Sequence, residues 1–155
     1  EKRKLKEYEV PPVVVCSLGD GSVTEGEVSE AFSFAALHQL PIIYLVQDND
    51  WGISVSSDEA RTNDAYEYAA GFKGLERVRV NGSDFVDSYK TMEYTIDWVR
   101  RERKPILVHA KVPLLGHHTS GVRKEWYRTA EDLEKHAQND PAPKLRKVLL
   151  QRGVR

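Results

Sequence analysis

A carboxylate between two glycines, Gly19-Asp20-Gly21, follows directly on the apolar run Val13 to Leu18. An aspartate held at a strand end offers a hard oxygen ligand, and flanking glycines let the backbone approach a phosphate closely. A second oxygen-rich turn, Asp48-Asn49-Asp50-Trp51-Gly52, follows the apolar run Pro41 to Val46. Mg²⁺ takes near-octahedral oxygen coordination, usually from one or two carboxylates together with substrate phosphates and water. Asp20 can give a carboxylate oxygen, Asn49 an amide oxygen and Trp51 its main-chain carbonyl. Either turn alone reads more readily as an ordinary polar loop. Their pairing across a strand-helix-strand unit points to one Mg²⁺-diphosphate site.

The elements that must position these residues alternate between two periods. Val13 to Leu18 is short and β-branched, behind Pro11-Pro12, and predicts a buried strand. Glu25 to Gln39 predicts a helix with Thr24 and Glu27 as a capping box and Val28, Phe32, Ala35 and Leu37 as its apolar face. The N–H groups at its start would face the same negative charge. Pro41 to Val46 predicts a second strand. Thr62 to Phe72 predicts a short helix closed near Gly71 or Gly74, followed by a strand at Val78 to Val80. After Asn81-Gly82-Ser83-Asp84, the residues Phe85, Tyr89, Met92, Ile96 and Val99 recur at helical spacing. Pro105 to Val112 predicts a fourth strand. The alternation argues an α/β fold, a parallel sheet flanked by helices on both faces, with ligands beyond the carboxyl ends of the strands. Leu115 to Tyr127 lacks a clean period and reads as a loop, while Thr129 to Gln138 and Pro143 to Gln151 predict two closing helices.

Composition narrows the class. The 155 residues are 40% hydrophobic and 30% charged with a net charge of −1, which is an ordinary globular balance and gives no argument for nucleic acid. The single cysteine, Cys16, excludes a disulfide within the chain and reads as a buried thiol. No apolar run approaches membrane-spanning length and no signal peptide is visible, so neither a membrane nor an oxidising compartment is expected. The chain opens with Glu1-Lys2-Arg3-Lys4 rather than Met and is expected to be a piece of something longer.

Gly19-Asp20-Gly21 joined to Asp48-Asn49 through Leu40-Pro41-Ile42-Ile43 resembles the thiamine diphosphate signature. The likeness continues through Trp51-Gly52-Ile53-Ser54 and Gly116-His117-His118-Thr119-Ser120 to Tyr127-Arg128-Thr129-Ala130-Glu131-Asp132-Leu133. Taken together, these segments resemble the alpha portion of the decarboxylating component of 2-oxo acid dehydrogenase complexes. The branched-chain (2-oxoisovalerate) type is the nearest form. The metal motif specifies only the cofactor, whereas the paired histidines select this family.

The resemblance implies a partial thiamine diphosphate-binding fold over residues 1–155, with 113–128 as a cofactor-side loop and 129–155 as closing helices. It implies that Asp20 and Asn49 are Mg²⁺ ligands with the Trp51 carbonyl, that Gly21 and Ser22 line the diphosphate, and that His118 reaches cofactor and substrate. The implied reaction is decarboxylation of a 2-oxo acid and transfer of the acyl group to a lipoyl carrier. The cofactor performs the covalent steps, and a histidine suits the lipoyl step because it can give a proton near neutral pH. The implied partners are a beta portion, separate or fused, which carries the glutamate that activates the cofactor, and a lipoyl-bearing acyltransferase. This chain alone is therefore expected to show no turnover. The implied compartment is the bacterial cytoplasm, with the mitochondrial matrix as the alternative. A transketolase-like or acetoin-cleaving enzyme, or a non-catalytic assembly domain that kept the fold, are the rival readings.

Several positions depart from the family pattern. Gln47 stands where the branched-chain type tends to carry a basic residue, Asp48 replaces the usual first asparagine, and Trp51 the usual tyrosine. Gly121-Val122-Arg123 stands where a serine and acids are frequent, so kinase control does not transfer to Thr119 or Ser120. Among the remaining candidates, His117 either orients the loop or touches substrate. His109 reads as a hydrogen-bonded structural histidine, and His38 and His136 as solvated. Glu25 and Glu27 read as helix-start charges rather than acid-base groups. Arg123, Lys124 and Arg128 either form a solvated loop or face a diphosphate or an acidic partner. Tyr66, Tyr68, Tyr89 and Tyr94 fit helix packing or subunit contact.

Overall fold

A computed structural model describes residues 10–154; residues 1–9 and 155 of the expected domain lie outside the described residues. Four strands, β1 (Val14–Gly19), β2 (Ile42–Asp48), β5 (Glu76–Asn81) and β6 (Ile106–Lys111), form a sheet in the order β1-β2-β6-β5. All three pairings are parallel. The register sets Gly19 beside Gln47 and Asp48 beside Lys111, so both oxygen-rich turns leave the same end of neighbouring strands.

Alternation along β2 and β6 feeds two cores. On one face Tyr44, Val46 and Leu107 pack with Phe32 and Ala35 of α1 (Gly26–Leu37) and with Ala65 and Ala69 of α3 (Ala65–Ala69). On the other, Ile43, Ile106, Val108 and Ala110 pack with Val99 of α4 (Phe85–Glu102). Phe32 is fully buried, with its ring edge-on to Tyr44 at 4.7 Å and to Phe72 at 5.4 Å. The expected sheet with helices on both faces is present over its central strands.

Several local expectations are corrected. The first strand is not buried: among the described residues it is the sheet edge, and Val14 and Val15 are more than half exposed, with Cys16 only partly covered. α1 begins one residue later than a capping box at Thr24 requires; Glu25 is the N-cap and makes no side-chain cap bond. Leu37 is exposed because the buried stripe of Phe32 and Ala35 recurs every three to four residues, and Leu37 falls off it. The segment Thr62 to Phe72 is helical only over Ala65–Ala69, where Asp64 caps the helix by accepting from the Glu67 N–H at 2.8 Å. Gly74, at φ +95°, then turns the chain into β5. Of the α4 stripe only Val99 is fully buried, Met92 and Ile96 are half-buried, and Phe85 and Tyr89 are exposed. α5 (Ala130–Ala137) falls within its expected range, and α6 (Pro141–Gln151) starts at Pro141, the favoured first helical position for proline.

Two short pieces escape the apolar periods, although Ser56 and Glu59 form a capping box at the start of the second. A hairpin of β3 (Trp51–Gly52) and β4 (Val55–Ser56) and the single turn α2 (Ser57–Ala60) follow β2. They are too short for either period to register. Among the described residues no helix is long and apolar enough to cross a membrane.

Candidate metal and diphosphate site

Asp20 opens a helical turn, Asp20–Ser22, immediately beyond β1, and the Ser22 hydroxyl closes that turn by donating to the Gly19 carbonyl at 2.7 Å. Asp20 is only 2% exposed, a burial that carboxylates reach only when paired. On the neighbouring strand end, the Asn49 side-chain oxygen accepts from the Trp51 N–H at 3.0 Å, and Asp50 sits at φ 68°. Asn49 thus closes its own short turn onto the Trp51 backbone. A Cβ added to Gly21 would lie 3.5 Å from the Gly52 Cα, so the turn after β1 packs against the hairpin after β2. The structure thus brings Asp20, Gly21 and Ser22 to the turn that carries Asn49 and Trp51.

Beneath these residues lies a charge network. Arg61, the residue closing α2, donates from Nη2 to Asp20 Oδ2 at 2.7 Å and to Asp48 Oδ1 at 3.3 Å. The other Asp48 oxygen pairs with His109 Nε2 at 2.7 Å, and the Asp50 N–H donates to Asp48 at 3.1 Å. Lys111 lies 3.3 Å from Asp48 and pairs more closely with Asp50. Asp64, the α3 cap, pairs with Arg79 at 2.6 Å and faces His109 Nδ1 at 3.8 Å.

The two buried carboxylates titrate in opposite directions. Burial pushes Asp20 above its ordinary value, Arg61 only partly offsets this, and the nearby Asp48 charge adds to it. Burial acts the same way on Asp48, but the His109 hydrogen bond, Lys111 and the Asp50 N–H outweigh it and hold the group well below the carboxylate range. Lys111 is penalised by burial yet raised on balance by Asp50 and Asp48. Asp48 is therefore already neutralised by protein groups, while Asp20 retains a demand for more positive charge.

The histidine loop is joined to this region at its far end. Trp51 stacks at a tilt on Tyr127, with ring centroids 5.4 Å apart, and the Arg128 guanidinium lies 5.5 Å from the Trp51 ring. His117 Nδ1 accepts from the Lys124 N–H at 3.2 Å, which is the loop-orienting alternative. His118 is exposed. No contact joins His118 to Asp20 or Asn49 among the described residues. Two expectations fail here. His136 is buried rather than solvated, because its Nδ1 accepts the Leu114 N–H at 2.8 Å and anchors the strand exit to α5. Arg128 is also buried, donating to Asp132 at 2.5 Å and to the Leu114 carbonyl at 3.0 Å, so it braces the loop and does not face solvent. His109 is the hydrogen-bonded structural histidine expected, and His38 is exposed as expected.

Arg61 and Lys111 were not marked by any sequence pattern, whereas Asp64 was legible as the start of a capping box with Glu67. Arg61 meets Asp20 across 41 residues of sequence, a contact no local period encodes. A signal for His109 did exist: it is a polar residue inside the apolar run Pro105 to Val112.

The family model described as dehydrogenase E1 component matches residues 4–155. The chain is 32% identical over 136 residues to the pyruvate dehydrogenase E1 component subunit alpha of Rickettsia bellii, covering 86% of this chain and 41% of that protein. It is 36% identical over 144 residues to the 3-methyl-2-oxobutanoate dehydrogenase subunit alpha of Mycobacterium tuberculosis, covering 92% and 39%. The chain thus spans about two fifths of the length of these relatives. Among solved structures, a transketolase from Campylobacter jejuni shares the fold with a TM-score of 0.60 at 24% identity, covering 83% of this chain and 21% of that one. A transketolase from Pichia stipitis superposes with a TM-score of 0.54 at 32% identity over 64% of this chain and 14% of that one. The chain belongs to the dehydrogenase E1 component family.

Proposed function

We propose that this chain carries the Mg²⁺-diphosphate half of a thiamine diphosphate site in the alpha portion of a 2-oxo acid dehydrogenase. The observation that carries the reading is the meeting of two oxygen-rich turns at the carboxyl ends of adjacent parallel strands, with Asp20 buried between them. The donor set fits a small hard cation: Arg61 engages only one oxygen of Asp20, and burial leaves that carboxylate short of positive charge. Asp20, Asn49 and the Trp51 carbonyl would hold the metal, and Gly21 and Ser22 would line the diphosphate. When bound, thiamine diphosphate supplies the carbon nucleophile that adds to a 2-oxo acid and accepts the electron pair left by CO₂.

The residues of this chain then position and protonate. His118, exposed on a loop braced by Arg128 and Tyr127, would give a proton to the lipoyl sulfur as the acyl group is transferred. The beta portion would add the glutamate that activates the cofactor, and a lipoyl-bearing acyltransferase would take the product. The branched-chain type is favoured over the pyruvate type by the paired histidines, and relatives of both kinds share about a third of the residues. Transketolase-like chemistry has the fold on its side, but the family match and the histidine loop favour the dehydrogenase.

The test is release of CO₂ from 3-methyl-2-oxobutanoate and from pyruvate by the intact, assembled protein with an artificial electron acceptor. Turnover of the branched acid in preference to pyruvate, and none by this chain alone, is the expected result. Ketol transfer between sugar phosphates without 2-oxo acid turnover would establish the rival.

A further inference from the structure

Arg61 is the one described side chain that touches both carboxylates flanking the two turns. Its Nη2 reaches Asp20 Oδ2 from the β1 end at 2.7 Å and Asp48 Oδ1 from the β2 end at 3.3 Å. The guanidinium side chain is 7% exposed and each carboxylate side chain 2%, so the bridge is shielded from water. Charge-assisted bonds in such a setting are strong and directional. Asp48 adjoins Asn49, so fixing Asp48 also fixes the turn that presents Asn49 and Trp51. His109 and the Asp50 N–H hold Asp48 from other directions, and Arg61 ties it to Asp20 across the two strand ends, where the two carboxylates also lie close to each other. By taking Oδ2, Arg61 constrains the rotation of the Asp20 carboxylate.

We propose that Arg61 is a positioning residue that clamps the two ligand-bearing turns in register and orients Asp20 toward the metal. The proposal rests on the Mg²⁺-diphosphate reading above. Arg61 does not itself hold the metal; it acts through Asp20 and Asp48, as outer hydrogen-bond partners of metal ligands do. The alternative role, a cation that competes with the metal for Asp20, predicts the opposite effect on affinity.

The experiment is Mn²⁺ binding to the intact, assembled protein, followed by the loss of the free-ion paramagnetic resonance signal with thiamine diphosphate present. The parent, Arg61→Met, Arg61→Lys and Arg101→Met are compared, with circular dichroism as the check on folding. Arg101 serves as control because its pair with Glu102 lies at the C-terminal end of α4, outside the charge network, and is largely exposed. Arg61→Met is expected to weaken Mn²⁺ binding by roughly 10–100-fold, the usual cost of losing an outer hydrogen-bond partner of a ligand. Arg61→Lys should recover part of that loss, since an ammonium keeps the charge but lacks the planar fork, and Arg101→Met should match the parent. Unchanged or tighter Mn²⁺ binding by folded Arg61→Met overturns the proposal, and tighter binding identifies Arg61 as a competitor. If Arg61→Met does not fold, Arg61→Lys decides: parental affinity overturns the clamp, and weakening by a few-fold or more with a parental spectrum supports it. Failure of the parent itself to bind Mn²⁺ overturns the metal reading, and the clamp with it.

Discussion

Asp48→Ala removes the group on which three cationic or protonatable side chains converge. Asp48 is 1% exposed and accepts from Arg61 at 3.3 Å, from His109 at 2.7 Å and from the Asp50 N–H at 3.1 Å, with Lys111 also at 3.3 Å. Its loss strands the Arg61 guanidinium, which retains Asp20, and a buried imidazole whose Nδ1 already lacks a hydrogen-bond partner. Breaking a buried pair from one side costs roughly 3–5 kcal/mol. A domain of this size has about 5–15 kcal/mol in total, so the variant should be close to the limit of folding. At about 2–4 °C per kcal/mol the melting temperature falls by roughly 6–20 °C. The pH dependence follows from the lowered value of Asp48. Because the folded group ionises below its unfolded counterpart, near about 3.9, its contribution is complete above that value. It is lost as pH falls through the folded value. The assay is urea unfolding of parent and variant from pH 7 down to pH 3. The stability gap should be full and level from pH 7 to about pH 4 and begin to narrow only below that. A gap below about 1 kcal/mol at pH 7 would refute the convergence argument, since that is the scale of an exposed ion pair. So would a gap that does not change on acidification.

Three further outcomes follow from packing and exposure. Phe32→Ala should cost about 3–5 kcal/mol in chemical unfolding, because the ring is fully buried between Tyr44 and Phe72 and truncation leaves a cavity under α1. Gly82→Ala should destabilise by about 1–3 kcal/mol, because its new Cβ would come within 2.9 Å of the Lys111 carbonyl beside Val112, where backbone must shift; a thermal melt reads it. His118→Ala should leave the melt within about 0.5 kcal/mol of the parent, as an exposed loop residue. The same variant should slow acyl transfer to lipoamide by roughly 10²–10⁴-fold, the range for loss of a general acid.

The parallel α/β order was legible because the strand runs and the α4 stripe are long enough to declare their periods. Burial was less so. Whether Val14 and Val15 are covered depends on which strand lies at the sheet edge, a property of the whole sheet and not of the run itself. Asp20 and Asn49 could be paired in advance because the strand-helix-strand connection has a fixed geometry that carries both turns to the same sheet end. Arg61 could not, since the Ser56–Glu59 capping box marks only the start of its turn, which is too short to show an apolar period, and it reaches Asp20 only through tertiary packing. His136 and Arg128 misled for a related reason. Both stand among charged neighbours in sequence, yet both fold inward to satisfy the backbone of Leu114 where the chain leaves β6.

The most direct test of the central claim is calorimetric titration of thiamine diphosphate and Mg²⁺ into the intact, assembled protein and into its Asp20→Asn variant. The account predicts Mg²⁺-dependent binding by the parent and its loss in Asp20→Asn. Binding of equal strength by parent and variant, or no binding by the parent, would contradict it.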